Sequence, residues 1–217
     1  MLSQAQIDQF ETQGFLVIEN LLDSDLLARI QAEYSARMDT LYADWAAEGR
    51  VPTPTSEMTF WDKLDQCYKG GFDWYQPFDI SLPANGITAA TPFHFGPATF
   101  DMVTHKNILD VMECLIGPEI TSNPIQHVRI KPPERAVPKD EARAHIVKTD
   151  WHQDMGVTLE SADQTQMVTI WLAITDATIE NGYLQVVPGK RSELLPHCSQ
   201  DGAPPALTGV GTAWPSK

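Results

Sequence analysis

Apolar residues recur every three or four positions from Asp23 to Trp45, where Leu26, Ile30, Tyr34, Met38, Leu41 and Trp45 form one stripe. That spacing predicts a long amphipathic helix with its stripe packed into a core. Upstream, Ser3 and Gln6 make a capping box that opens a short helix carrying Ile7 and Phe10, and Gly14 ends it. A third helical pattern runs from Thr104 to Ile116, with Ile108, Val111, Met112 and Leu115 on one side and a stop at Gly117-Pro118. Strand signals dominate elsewhere. They fall at Phe15–Ile18, Pro124–Ile130, Val168–Ile174 and Tyr183–Val187, with a turn at Glu180-Asn181-Gly182. Gly49 to Pro97 mixes Pro, Gly and aromatics without a period, as a packed lid or binding loop does. Pro132 to Lys148 reads as a charged loop, and Gly202 to Lys217 receives no element. Short helices first and strands later give an α+β class with a mainly β core, a sandwich or barrel.

Composition narrows the functional classes. The 217 residues suit one domain, and 42% hydrophobic content is enough to bury a core. A net charge of -14 argues against a nucleic-acid or anionic-membrane partner, since both require basic clusters. Cys67, Cys114 and Cys198 are odd in number and lack CxxC spacing, which suggests a reducing, cytoplasmic setting and no thiolate zinc site. The N-terminus carries no signal-peptide pattern, and no apolar run approaches the length of a membrane span.

The chemistry concentrates at Thr149-Asp150-Trp151-His152-Gln153-Asp154. In a strand, His152 and Asp154 would share a face and Gln153 would point away. An imidazole and a carboxylate so placed can hold one metal ion, and with a further His they make the facial triad of non-haem Fe(II) oxygenases. Read from spacing alone, the same pair also fits a surface ion pair or a zinc hydrolase. The other histidines are His94, His105, His127, His145 and His197. No GxSxG, P-loop or GxGxxG is present.

Several segments together resemble the phytanoyl-CoA dioxygenase family of Fe(II)- and 2-oxoglutarate-dependent oxygenases. Gln6–Phe10 with Gly14–Ile18 is similar to the family's first helix and strand, and Ile130-Lys131-Pro132-Pro133 to the segment before its metal motif. Trp151-His152-Gln153-Asp154 resembles the family's HxD, and Asn181–Gly189 with Leu194-Leu195-Pro196-His197 resembles its NGxLxVxPGSH…PH block. The resemblance implies a double-stranded β-helix, or jelly roll, with N-terminal packing helices. It implies that His152 and Asp154 bind Fe(II), and that His127 and Trp171 lie near 2-oxoglutarate. Ordinary core packing accounts for Trp171 equally well. The implied reaction uses O2, converts 2-oxoglutarate to succinate and hydroxylates a C–H bond of a small organic substrate. Asp154 stands where halogenating relatives carry a small residue, so hydroxylation is expected. The Gly49–Pro97 segment would cover the site and set specificity, with His94 a candidate for substrate contact.

The pattern also breaks. The family's third metal ligand, a later His, and the following Arg that binds 2-oxoglutarate have no counterpart before Lys217. His197 matches the family's PH position, which is not a ligand. The expectation is therefore a C-terminally truncated domain spanning 1–217 with its last strands missing. The competing expectation is a non-catalytic jelly-roll remnant that binds a ligand or a partner chain. The substrate and the oligomeric state are not specified by the sequence.

Overall fold

A computed structural model describes residues 1–83, 85–132, 146, 151–157 and 165–189. These residues fall into two compact units. One comprises Met1–Leu21, Lys106–Thr121 and the described residues from Ile130 onward; the other comprises Leu22–His105 and Ser122–Arg129. Among the described residues no helix is long and apolar enough to cross a membrane.

The second unit is built on α2, Ser24–Ala47. Asp23 caps it, its side chain accepting from the Leu26 N–H at 2.7 Å. Leu26, Ile30, Tyr34, Met38 and Trp45 are buried as the stripe predicts. Tyr42 replaces Leu41 as the sixth buried position, because burial continues the four-residue row 26, 30, 34, 38, 42. Helix α3, Phe60–Lys69, and helix α4, Pro97–Val103, both pack on α2.

The segment Gly49–Pro97 corrects the sequence reading. It contains α3, which starts at a capping box formed by Thr59 and Asp62, and a 3-10 turn at Gln76–Phe78. Its aromatics include core residues: Trp74 and Phe78 have no exposed surface, and Tyr75 is buried. Around the Phe78 ring stand Tyr34 at 6.5 Å, Trp45 at 6.3 Å and Trp74 at 6.3 Å between centroids. Much of the expected lid is therefore the packing partner of α2.

Glu33 of α2 ties the start of α4 in place. Its carboxylate accepts from the Ala98 N–H at 2.7 Å, the Thr99 N–H at 3.3 Å and the Thr99 hydroxyl at 2.8 Å. His94 Nε2 lies 3.0 Å away. Gly96 permits this approach, since a Cβ there would come within 2.4 Å of the Glu33 carboxyl carbon. Burial alone would push the Glu33 carboxyl up, but these donors outweigh it and hold it below its ordinary 4.5. A carboxyl lowered in the folded state stabilises the fold above its unfolded pKa, and that contribution disappears as pH falls through the folded value. Glu33→Gln should thus cost about 1–3 kcal/mol near neutrality. The gap to wild type should close in strong acid, and urea unfolding across the acid range would show it. A constant gap would contradict this assignment.

In the first unit, α1 spans Gln4–Gln13 with the predicted Ser3–Gln6 capping box. Gly14 ends it at φ 75, a left-handed backbone that glycine adopts without strain. Helix α5, Lys106–Ile116, buries Ile108, Val111 and Met112. The Asn107 amide donates to the Leu21 carbonyl at 2.8 Å, and the Gly189 N–H to the Gln13 carbonyl at 2.8 Å. The predicted turn is formed: the Asn181 side chain accepts from the Thr178 N–H and donates to the Asp176 carbonyl, each at 2.5 Å, with Gly182 at φ 91.

No strand is present among the described residues, including 15–18, 124–130, 168–174 and 183–187. A strand exists only where a second one completes its ladder. Residues 84, 133–145, 147–150, 158–164 and 190–217 lie outside the described set, and with them His145, His197, Cys198 and the charged loop after Pro132.

Candidate metal and co-substrate residues

His152 and Asp154 approach each other by a route the strand reading does not foresee. Asp154 opens a 3-10 turn, Asp154–Val157. His152 Nε2 nevertheless lies 3.2 Å from Asp154 Oδ1. Both side chains are partly open to solvent, at 32% and 41%. Thr169 donates its hydroxyl to the other carboxylate oxygen, Oδ2. The His152 ring holds the Asp154 carboxyl below its ordinary value; burial opposes this and the Thr169 hydroxyl adds to it. The carboxylate is therefore ionised near neutrality, the form in which it binds a metal.

The two groups make a direct ion pair, at a spacing that a shared metal ion would also allow. Two neighbouring ligands on an octahedral ion, each at about 2.1 Å, stand about 3.0 Å apart, close to the separation of His152 Nε2 and Asp154 Oδ1. A partner on the second carboxylate oxygen fixes the ligand's orientation, as outer partners of metal ligands do. Among the described residues, no group of three His, Cys, Asp or Glu residues gathers as a metal cluster.

His127 belongs to the other unit. Its Nδ1 lies 2.7 Å from Asp79 Oδ2, and Asp79 is buried. Asp79 Oδ1 also accepts from the Ile80 N–H at 2.9 Å and the Val128 N–H at 3.1 Å. The Tyr75 hydroxyl donates to the Val128 carbonyl at 2.8 Å. Trp171, the other residue expected near the co-substrate, lies in the first unit and is 45% exposed. His94 is held in the Glu33 cluster with 15% of its side chain exposed. The sequence reading missed Thr169 and Asp79, which bond to residues 15 and 48 positions away.

A model of the phytanoyl-CoA dioxygenase family matches residues 10–196. The chain belongs to this family. The match takes in both the His152–Asp154 pair and the Asn181–Gly189 block. No curated protein and no solved structure matches the chain. Membership in the phytanoyl-CoA dioxygenase family makes a dioxygenase-type oxidoreductase the general class of activity.

Proposed function

We propose that this protein is an Fe(II)- and 2-oxoglutarate-dependent dioxygenase that hydroxylates a C–H bond of a small organic substrate. The observation that carries this reading is the 3.2 Å approach of His152 to Asp154, with Thr169 on the second carboxylate oxygen. The family match supports it. The proposed fold is the family's double-stranded β-helix with packing helices, in a cytoplasmic protein.

In this reading His152 and Asp154 hold the iron, and Thr169 keeps the carboxylate turned toward it. Bound Fe(II) supplies a centre at which 2-oxoglutarate and O2 react. One oxygen atom ends in succinate and the other in the hydroxylated product, and CO2 leaves. His127 and Trp171 are the proposed contacts to the co-substrate. Asp154 occupies the position that a halide would need, so the proposed outcome is hydroxylation.

The test is the turnover of 2-oxoglutarate with Fe(II) and O2, followed as succinate and CO2. Equal amounts of the two products are expected even without the prime substrate, at the slow rate of uncoupled reaction. Protein that binds Fe(II) and releases no succinate would contradict the enzymatic reading. It would favour a ligand-binding role.

A further inference from the structure

Five asparagines occur in the chain, and two of them, Asn85 and Asn181, precede glycine. At an Asn-Gly step the main chain can attack the side-chain amide most freely, because glycine has no Cβ to obstruct its own N–H. Asn20 and Asn107 precede the larger Leu21 and Ile108, and Asn123 precedes Pro124, which has no N–H to attack with. The two Asn-Gly steps differ in what holds them.

Asn181 is tied down. Its Oδ1 accepts from the Thr178 N–H and its Nδ2 donates to the Asp176 carbonyl, each at 2.5 Å. Both polar atoms of the amide are thus engaged on residues that precede it. The Asn181 and Tyr183 N–H groups donate to the Thr178 carbonyl, each at 3.2 Å, and close the turn. Asn85, Gly86 and Ile87, by contrast, are exposed. Among the described residues no hydrogen bond engages the Asn85 amide or the Gly86 N–H. A Cβ built on Gly86 or on Gly182 would meet nothing within 4 Å, so the hydrogen bonds, not the space, separate the two steps. Asn85-Gly86 lies between two anchors. The Gln76 amide donates to the Ser81 carbonyl at 2.8 Å, and the Thr88 N–H donates to the Thr91 hydroxyl at 2.8 Å.

We propose that Asn85-Gly86 is a site of spontaneous covalent modification, whereas Asn181-Gly182 is protected by its turn. The Gly86 main-chain nitrogen gives up its proton and forms a bond to Asn85 Cγ. The Cγ–Nδ2 bond breaks, and Nδ2 leaves as ammonia, taking up that proton. The product is a five-membered cyclic imide. Water then opens either of its two carbonyl groups, which leaves aspartate or isoaspartate at position 85. In isoaspartate the main chain runs through the former side-chain carbon. No step is redox, and water is the one co-reactant. Each event exchanges a neutral amide for a carboxylate within residues 80–100, a stretch with no Asp, Glu, Lys or Arg. The chemistry is independent of the oxygenase reading.

Purified protein held in mildly alkaline buffer, then digested and followed by mass spectrometry, provides the test. The peptide containing Asn85 should gain the mass difference between an amide and a carboxylic acid, and should divide into two chromatographic forms. The peptide containing Asn181 should change at least about tenfold more slowly, since two hydrogen bonds must break before its amide can turn. In guanidinium chloride the two peptides should react at similar rates, because the turn no longer holds Asn181. Isoelectric focusing of the folded protein should show an acidic species that accumulates in wild type and is largely absent from Asn85→Ser. Equal rates at the two sites in the folded protein, or a faster change at Asn181, would overturn the proposal. So would rates that differ by the same factor in denaturant, since the difference would then belong to the local sequence. An intact Asn85 in folded protein, over a time in which the denatured sample reacts, would overturn it as well.

Discussion

His152→Ala and Asp154→Ala should each abolish succinate formation from 2-oxoglutarate, a loss of at least about a hundredfold. The size follows from what each change removes. Loss of an outer partner of a metal ligand typically costs 10–100-fold, and loss of a ligand itself should exceed that. Thr169→Val supplies the comparison. It removes the hydroxyl on Asp154 Oδ2 and leaves both ligands in place, so about a tenfold loss is expected. Stability should respond in the opposite order of importance. Both side chains are partly solvent-exposed, and exposed ion pairs contribute about 0–1 kcal/mol. Inactive variants with near wild-type melting temperatures are therefore the expected pattern, read by succinate release beside thermal unfolding. Wild-type succinate release from both alanine variants would remove the metal assignment. Loss of activity together with loss of folding would make the pair structural.

The parts of this chain that were legible in the sequence share one property: their signals are local. Helix α1 declares itself through Ser3, Gln6 and Gly14, all within one short segment. Helix α2 does so through an unbroken row of apolar side chains. His152 and Asp154 stand two residues apart and come within 3.2 Å of each other, although Asp154 opens a 3-10 turn where a strand was expected. Helix α3 was hidden. Its apolar positions Leu64 and Cys67 are few, and Trp61, which breaks the stripe, is exposed. Helix α4 has only seven residues and starts at Pro97, too short for a period to emerge. Asp79 and Thr169 illustrate a different difficulty. Each acts on a distant partner through a single side chain, and neither a spacing nor a cap marks such a residue in advance. Only the fold brings Asp79 to His127.

Phe78→Ala should be among the most destabilising single changes in the unit built on α2, at about 3–5 kcal/mol. Its ring has no exposed surface and is enclosed by Tyr34, Trp45 and Trp74. Truncation removes the buried apolar area and leaves a cavity that these neighbours cannot readily close. Tyr34 is tied by its hydroxyl to the Phe78 carbonyl, and Trp45 packs against Phe72 as well, at 5.1 Å between centroids. Phe78→Leu refills most of the volume and should cost only about 1.5 kcal/mol. Urea unfolding followed by tryptophan fluorescence would measure both, since Trp45 and Trp74 both neighbour the Phe78 ring. The change reaches beyond stability because Asp79 follows Phe78 directly and takes its position from that packing. Phe78→Ala should therefore also loosen the contact between Asp79 and the His127 ring, measurable as a changed His127 ring signal by NMR in protein that remains folded. A cost below about 1 kcal/mol would mean that the ring cluster is not the core of this unit. The Asp79 carboxylate would then need some other support than the packing beneath it.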